Sequence, residues 1–286
     1  MDTVAKKEAI THHYDVGNDF YQLWLDVDMV YSCALWVDDQ DNDLHQAQLN
    51  KLDWHLDNLS MSDGGLLLDI GCGWGALLQR HLDRNKANRG VGLTLSEAQK
   101  LYVDESGLHA EVIVQNWTEH PPILQYDGII SIGAFEHFAN RHQSVDEKLE
   151  LYSDFFSRCA RWLKPEARLS LQTIVYGSMS SKDQNLFISD DVFPNSELPT
   201  VAEIKDASDS SFELIELRLD GKQYAKTCDL WLTRLRENKS EAVRLYGEET
   251  FQHYVKYLKF CVIGFYSGRI NLARFVFSAK TGRIRS

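Results

Sequence analysis

The sequence is short of positive charge, of paired cysteines and of long apolar runs. Lysine and arginine number 30 against 42 aspartates and glutamates, a formal net charge of −12. So acidic a chain repels a phosphate backbone, which argues against nucleic acid as a partner. Five cysteines (Cys33, Cys72, Cys159, Cys228, Cys261) are scattered with no C-x-x-C pair. That argues against a disulfide framework and a structural zinc site. His12-His13 and Glu136-His137 lack a partner pair at zinc spacing, so no metal is expected. No stretch is long and apolar enough to span a bilayer, so integral membrane association is not expected. The segment MDTVAKKEAI lacks the apolar core of a signal peptide, and a cytoplasmic location follows as the expectation. There is no internal repeat and no low-complexity segment. What is present is 44% hydrophobic residues over 286 positions, enough for one large α/β domain.

Residues 10–36 are rich in aromatics and aspartate without clean periodicity, and suggest short helices and turns. Leu44, Leu49, Leu52, Leu56 and Leu59 stand near helical spacing, which predicts an amphipathic helix over 43–59. From Leu66 the pattern becomes strand, turn, helix. Strands are expected at Leu66–Ile70, Val91–Leu95, Glu111–Val114, Tyr126–Ile132 and Leu169–Val175. Helices are expected at Ala76–Leu82, from Ser96 to Tyr102, and at Leu149–Trp162, the last stopped by Lys164–Pro165. This alternation predicts a doubly wound α/β sheet with helices on both faces. Residues 176–200 read as a polar loop with Pro194 and Pro199, and 228–258 as mostly helical. Phe212–Leu219 and Asn271–Ser278 are expected to close the sheet as an antiparallel pair. One domain over 1–286 is therefore expected in four parts. These are a helical cap segment (1–60), a ligand-binding core (61–175), an acceptor-covering insertion (176–258), and a closing strand and tail (259–286).

Asp69-Ile70-Gly71-Cys72-Gly73-Trp74-Gly75-Ala76 lies between the first strand and its helix. Glycines let the backbone approach a ligand closely, and the helix start offers free N–H groups. A dinucleotide and S-adenosylmethionine (SAM) both exploit this arrangement. Asp69 favours the second, because a carboxylate there repels a pyrophosphate and suits a cationic ligand. A tight turn holding no ligand is the plainer alternative.

Several segments together resemble the cyclopropane fatty acid synthase family of SAM-dependent methyltransferases, and most closely its short mycolic-acid cyclopropane synthases. They are HYDVGNDFYQLWLD, YSCALW, AQLNKLD, LLLDIGCGWGALL, VGLTLSEAQ, SIGAFEHF, QYAKTCDLW and EETFQHYVKYLKFC, in family order from residue 13 to about residue 261. The resemblance implies a class I methyltransferase Rossmann-like sheet with an antiparallel final strand and a helical cap. It implies cofactor contacts from Tyr31 and Ser32, and from the segment containing Leu67, Asp69, Gly71, Cys72, Gly73, Trp74 and Gly75. It adds Thr94, Leu95, Ser96 and Gln99 along the ribose and adenine, and Asn116, Trp117, Thr118 and Ile132. Thr118 stands where the family has an acid.

The family's catalytic constellation cradles a bicarbonate beside the sulfonium. The resemblance places Cys33 (through its backbone), Glu136 and Tyr224 in its wall, with His137 beside Glu136. At the remaining wall position the family has histidine and this chain has Gln172. A neutral glutamine can donate a hydrogen bond to an anion but cannot carry a protonated imidazole's charge. Weaker bicarbonate binding is therefore expected, and with it a methyl-branched rather than a cyclopropanated product. If cyclopropanation survives, a Gln172→His variant should perform it faster. The polar 176–200 stretch and the acidic surface suggest a small metabolite, or a short or carrier-bound acyl chain, as acceptor. A small amine is the further alternative. A solvated terminus accounts for Lys280, Arg283 and Arg285. Cys72 is expected as a buried filler and Cys261 as a buried hydrophobe. Trp231, Tyr254, Tyr257, Phe260, Phe265 and Tyr266 are expected to line the cap.

Overall fold

The computed structural model describes residues 17–38, 43–121, 125–179 and 197–280. His12-His13, Pro194, Arg283 and Arg285 lie outside them. In chain order the elements are α1 (Asn18–Gln22), α2 (Leu44–Asn58), β1 (Leu66–Ile70), α3 (Ala76–Arg84), β2 (Arg89–Thr94), α4 (Glu97–Ser106), β3 (Glu111–Val114) and β4 (Tyr126–Ile132). They continue with α5 (Val145–Trp162), β5 (Leu163–Tyr176), α6 (Val201–Ser208), β6 (Phe212–Leu219), α7 (Gly221–Glu237), α8 (Lys239–Tyr266) and β7 (Ile270–Ala279). Single 3-10 turns lie at Trp117–Glu119 and Phe135–His137.

The seven strands form one sheet in the order β3-β2-β1-β4-β5-β7-β6. β3 to β5 run parallel, and β7 is antiparallel to both β5 and β6. The order reverses between β1 and β4, so the connections after these strands diverge and leave a crevice at their carboxyl ends. β1 is buried along its whole length, as a central parallel strand requires.

Several expectations on element limits change. The helix foreseen from Leu149 begins at Val145, because a capping box between Ser144 and Glu147 satisfies its first amides. β5 starts at Leu163, six residues before the expected strand, and Pro165 sits within its first residues. Residues 201–219 supply α6 and the edge strand β6, so the 176–258 stretch is not wholly a cover over the sheet. The helical part is α7 and α8, and α8 is interrupted at Gly247 (φ 83°).

The N-terminal segment packs against these two helices through aromatic rings. Phe20 meets Tyr254 with centroids 4.7 Å apart, and Trp24 meets Trp231 at 5.7 Å. Such pairs stabilise beyond their buried area. Trp74 of the glycine turn donates its indole N–H to Asn18 Oδ1 at 2.9 Å, which ties α1 to the crevice. Of the six residues expected in the cap, Tyr266 is instead 76% exposed.

α2 buries an unusual face. Asp43 caps it by accepting from Gln46 N. Its buried positions are Leu44, Ala47, Gln48, Lys51, Leu52, His55 and Leu56. Three of these are polar, and each has a hydrogen-bond partner. Gln48 Nε2 donates to Ser32 O at 2.9 Å, and Lys51 Nζ to Ser32 Oγ at 3.0 Å. His55 Nδ1 lies 2.7 Å from Ser170 Oγ on β5. The seam fixes residues 30–33 over the sheet edge, a role invisible to a count of leucines.

Candidate active site

The three glycines of the turn all have positive φ: 87° at Gly71, 55° at Gly73 and 88° at Gly75. A Cβ on Gly71 would lie 2.6 Å from the Cβ of Ala134, whereas one on Gly73 would meet nothing within 4 Å. Gly71 thus lets β1 approach the β4 connection, and Gly73 leaves open space for a ligand. A Cβ on Gly75 would strike Leu108 and Val103, so its glycine serves the packing of α4. Gly71→Ala should cost about 2–4 kcal/mol, from a left-handed backbone plus overpacking. Urea unfolding measures it, and an unchanged midpoint would contradict the packing argument.

Beyond the turn lies a cavity of about 200 Å³ at the carboxyl ends of the strands. Asp69, Gly71, Cys72, Gly73 and Trp74 line it from β1 and the turn. Thr94 at the end of β2 lines it with Leu95 and Gln99, and Thr94 Oγ1 donates to Gln99 Oε1 at 2.6 Å. Asn116, Trp117 and Thr118 follow β3, where the Asn116 side chain accepts from Thr118 N. Ile132 ends β4, Gly133, Ala134 and His137 follow it, and Tyr31 and Ser32 close the near side. Three expected residues do not line it. Leu67 is fully buried among leucines beneath α2 and α3. Gly75 faces α4, and Ser96 caps that helix by accepting from Gln99 N. Lys51 lines the cavity and was not foreseen as a site residue, although it lies in the matching AQLNKLD stretch.

Burial governs the charges here. It pushes the Asp69 carboxyl up to about 7, and the nearby Lys51 partly offsets this. It brings Lys51 down to about 7, helped by the positive charge of Arg274. His137 is brought down to about 4 by the same desolvation, so its ring is neutral near pH 7.

Of the residues expected on the acceptor side, His137 lines this cavity and the others sit beside it. Glu136 is 4% exposed, and its Oε2 accepts from Thr173 Oγ1 at 2.9 Å. Burial pushes its carboxyl up to about 7. A Cβ on the cavity-lining Gly133 would be 3.9 Å from both Glu136 Oε1 and Ser32 Cβ, so the carboxyl group lies close to the cavity lining. Tyr224, expected in a loop, lies in the first turns of α7 and stacks on Phe265 with centroids 4.3 Å apart. The Cys33 thiol is pushed up to about 11 by burial and stays protonated. It donates to Ala34 O at 3.2 Å.

Gln172 is not an isolated neutral group. Its strand neighbour across β5 and β7 is Arg274, which is fully buried. Arg274 Nε donates to Gln172 Oε1 at 2.8 Å, and His55 Nε2 lies 3.3 Å from the same oxygen. The guanidinium also bonds Asp220, and its Nη2 donates to Cys33 O at 3.3 Å and Ala34 O at 3.0 Å. One cation therefore joins Gln172, the Cys33 backbone and the start of α7. Position 172 is neutral, as expected, but a cation lies one side chain behind it, itself paired with Asp220.

A sheet in this order, with a glycine turn and an acidic residue at the end of β1, defines the class I methyltransferases. The model of the mycolic acid cyclopropane synthetase family matches residues 1–275. The cyclopropane mycolic acid synthase MmaA2 of Mycobacterium bovis is 35% identical over 96% of this chain and 98% of that protein. The solved structure of the cyclopropane synthase MmaA2 from Mycobacterium tuberculosis superposes with a TM-score of 0.85 at 33% identity, over 95% and 98% of the two chains. That of mycolic acid cyclopropane synthase CmaA1, complexed with SAH and CTAB, gives 0.84 at 32% identity, over 95% and 98%. A more distant structure, coclaurine N-methyltransferase bound to N-methylheliamine and SAH, gives 0.77 at 25% identity, over 94% of this chain and 81% of that one. The chain belongs to the mycolic acid cyclopropane synthetase family, and so to the SAM-dependent methyltransferases. Among the described residues no helix is long and apolar enough to cross a membrane.

Proposed function

We propose that this protein transfers the methyl group of SAM to an unsaturated or electron-rich carbon of a small metabolite, or of a short or carrier-bound acyl chain. The supporting observation is Glu136, a buried carboxyl group held by Thr173 and lying close to the cavity-lining Gly133. The residues present fit the cofactor. Asp69 offers a carboxylate to the methionyl amino group, and Gly73 leaves backbone room for it. Bound there, SAM supplies an electrophilic methyl on a sulfonium.

The chain's own residues then do three things. The aromatic cap keeps water from the acceptor and presents ring faces, Tyr224 among them, to cationic character on it. Glu136 takes the proton that a methylated carbon must lose. Arg274 spends its Nε and Nη2 hydrogen bonds on protein acceptors, so it acts on the site through its field and through Gln172. This arrangement supports Glu136, rather than a bound bicarbonate, as the base.

The test supplies methyl-labelled SAM with cis-unsaturated acyl chains of graded length, free and carrier-bound, with and without bicarbonate. A product that gains CH2, keeps its alkene signal and ignores bicarbonate is expected. A bicarbonate-dependent product without the alkene would establish cyclopropanation instead. The likeness to coclaurine N-methyltransferase supports a second reading, methylation of a small amine. That reading requires a rate rising with pH as the amine itself loses its proton, and label found on nitrogen.

A further inference from the structure

Two opposite charges face the same cavity without touching. Lys51 (1% exposed) and Asp69 (2% exposed) both line it. Each feels the other's charge, yet no ion pair forms between them within 4.0 Å. The Lys51 ammonium has three donors and uses one, on Ser32 Oγ. Neither Asp69 oxygen accepts a hydrogen bond from a described residue. Holding buried opposite charges apart is costly, because each stays desolvated without its counterion. Direct contact would lower that cost unless something is meant to lie between them.

We infer that Lys51 is a cofactor-binding residue, whose ammonium takes the carboxylate of the methionyl end while Asp69 takes its amino group. The inference rests on the SAM reading and extends it to a residue the glycine motif does not contain. A zwitterion with both charges on one carbon completes two half-satisfied groups at once. A nucleoside without the carboxylate completes only one, so the pair selects intact SAM and S-adenosylhomocysteine (SAH) over their decarboxylated forms. Ser32 fits the same role, since its hydroxyl oxygen already accepts from Lys51 and leaves its own hydrogen free to point at an anion.

Proton uptake follows from the surroundings. Arg274 on β7 faces Lys51 as a like charge, and His55 lies one turn along α2. Asp26 on the N-terminal segment and Asp69 on β1 oppose the Arg274 effect, and the protonated Cys33 thiol near them adds no charge. Burial dominates and brings Lys51 to about 7, so above neutrality much of it is an amine. A carboxylate placed against it favours the ammonium, and binding then draws a proton from solution.

Calorimetric titration of the full chain with SAH and with decarboxylated SAH tests this. The wild-type protein should prefer SAH by about tenfold or more, the scale of one charge-assisted contact. Lys51→Met should lose that preference by weakening SAH alone, with its affinity for decarboxylated SAH kept. At pH 8, in buffers of different ionisation enthalpy, wild type should take up a proton with SAH and not with the decarboxylated compound. This last measurement needs no variant, and it decides the matter if Lys51→Met fails to fold. Equal wild-type affinity for the two nucleosides, or equal weakening of both by Lys51→Met, would overturn the inference and leave Lys51 as a prop for Ser32. Wild type binding neither would instead overturn the SAM reading itself.

Discussion

Glu136→Gln should lower methyl transfer by about 10²–10⁴-fold, the range for removing a general base, while SAH binding is nearly unchanged. The amide oxygen of glutamine can still accept from Thr173 Oγ1, so the local fold has its anchor. The amide cannot take a proton at accessible pH. The pH profile carries a second expectation. The Glu136 carboxyl stands at about 7, raised by burial, and it must be ionised to act as a base. Wild-type kcat/KM should therefore rise with pH through about 7, and the variant should lose that limb. A sulfonium bound nearby favours the carboxylate, so the limb in kcat should fall at lower pH than the limb in kcat/KM.

Stability gives an independent check with a definite sign. The folded-state carboxyl binds its proton more tightly than the unfolded one, whose ordinary value is 4.5. Between about 4.5 and 7 the native state holds more protons, so this group's contribution falls as pH rises through that window. Glutamine has no such loss. The stability of Glu136→Gln relative to wild type should climb from pH 5 to pH 7 and then stay level. Urea midpoints at pH 5, 7 and 8 measure this. A rate loss under tenfold, with the pH limb intact, would move the base to Tyr224 or another group.

What could be read from the chain, and what could not, divides along local and non-local causes. The glycine turn was legible because three positive φ angles within five residues demand glycine, and the sequence places one at each. The strands β1, β3 and β4 fell where short runs rich in apolar residues stand between breakers. Leu67 misled because the resemblance carries a string of residues, whereas a strand delivers only its end to a ligand. Asp69 is one pleat nearer the carboxyl end than Leu67 and reaches the cavity, as does Ile70. Ser96 and Gly75 matched by position but are spent on capping and packing α4. The seam of Gln48, Lys51 and His55 escaped a search for apolar periodicity, since its period is helical but its residues are polar. Gln172 could be seen to differ from the family, but not what the difference meant. Its partner lies 102 residues away, and only the register of β5 with β7 brings them together.

That partner carries the largest expected effect on stability. Arg274→Met should destabilise the fold by about 3–5 kcal/mol, the range for breaking a buried charged pair on one side. The methionine fills much of the volume but leaves Asp220 to Arg218 alone, the Gln172 oxygen to His55, the Ala34 carbonyl to the Cys33 thiol, and the Cys33 carbonyl without its donor. Lysine is no remedy, because one ammonium cannot reach partners that a planar fork meets in several directions. Asp220→Asn alone should also destabilise, by stranding the guanidinium. The double variant Arg274→Met with Asp220→Asn should be more stable than the sum of the two predicts, because no buried charge is then unopposed. The same geometry alters what Gln172→His should do. A histidine there must accept from Arg274 Nε in place of the glutamine oxygen, and a neighbouring guanidinium keeps the ring neutral. It would therefore not restore a protonated imidazole, and any change in product or bicarbonate response should be small in Gln172→His. It should be large only when Arg274 is replaced as well. Melting curves of the four Arg274 and Asp220 combinations, with product analysis of Gln172→His, decide the point. An Arg274→Met protein melting like wild type would mean that the guanidinium is dispensable, and that Gln172 is the neutral residue its sequence suggests.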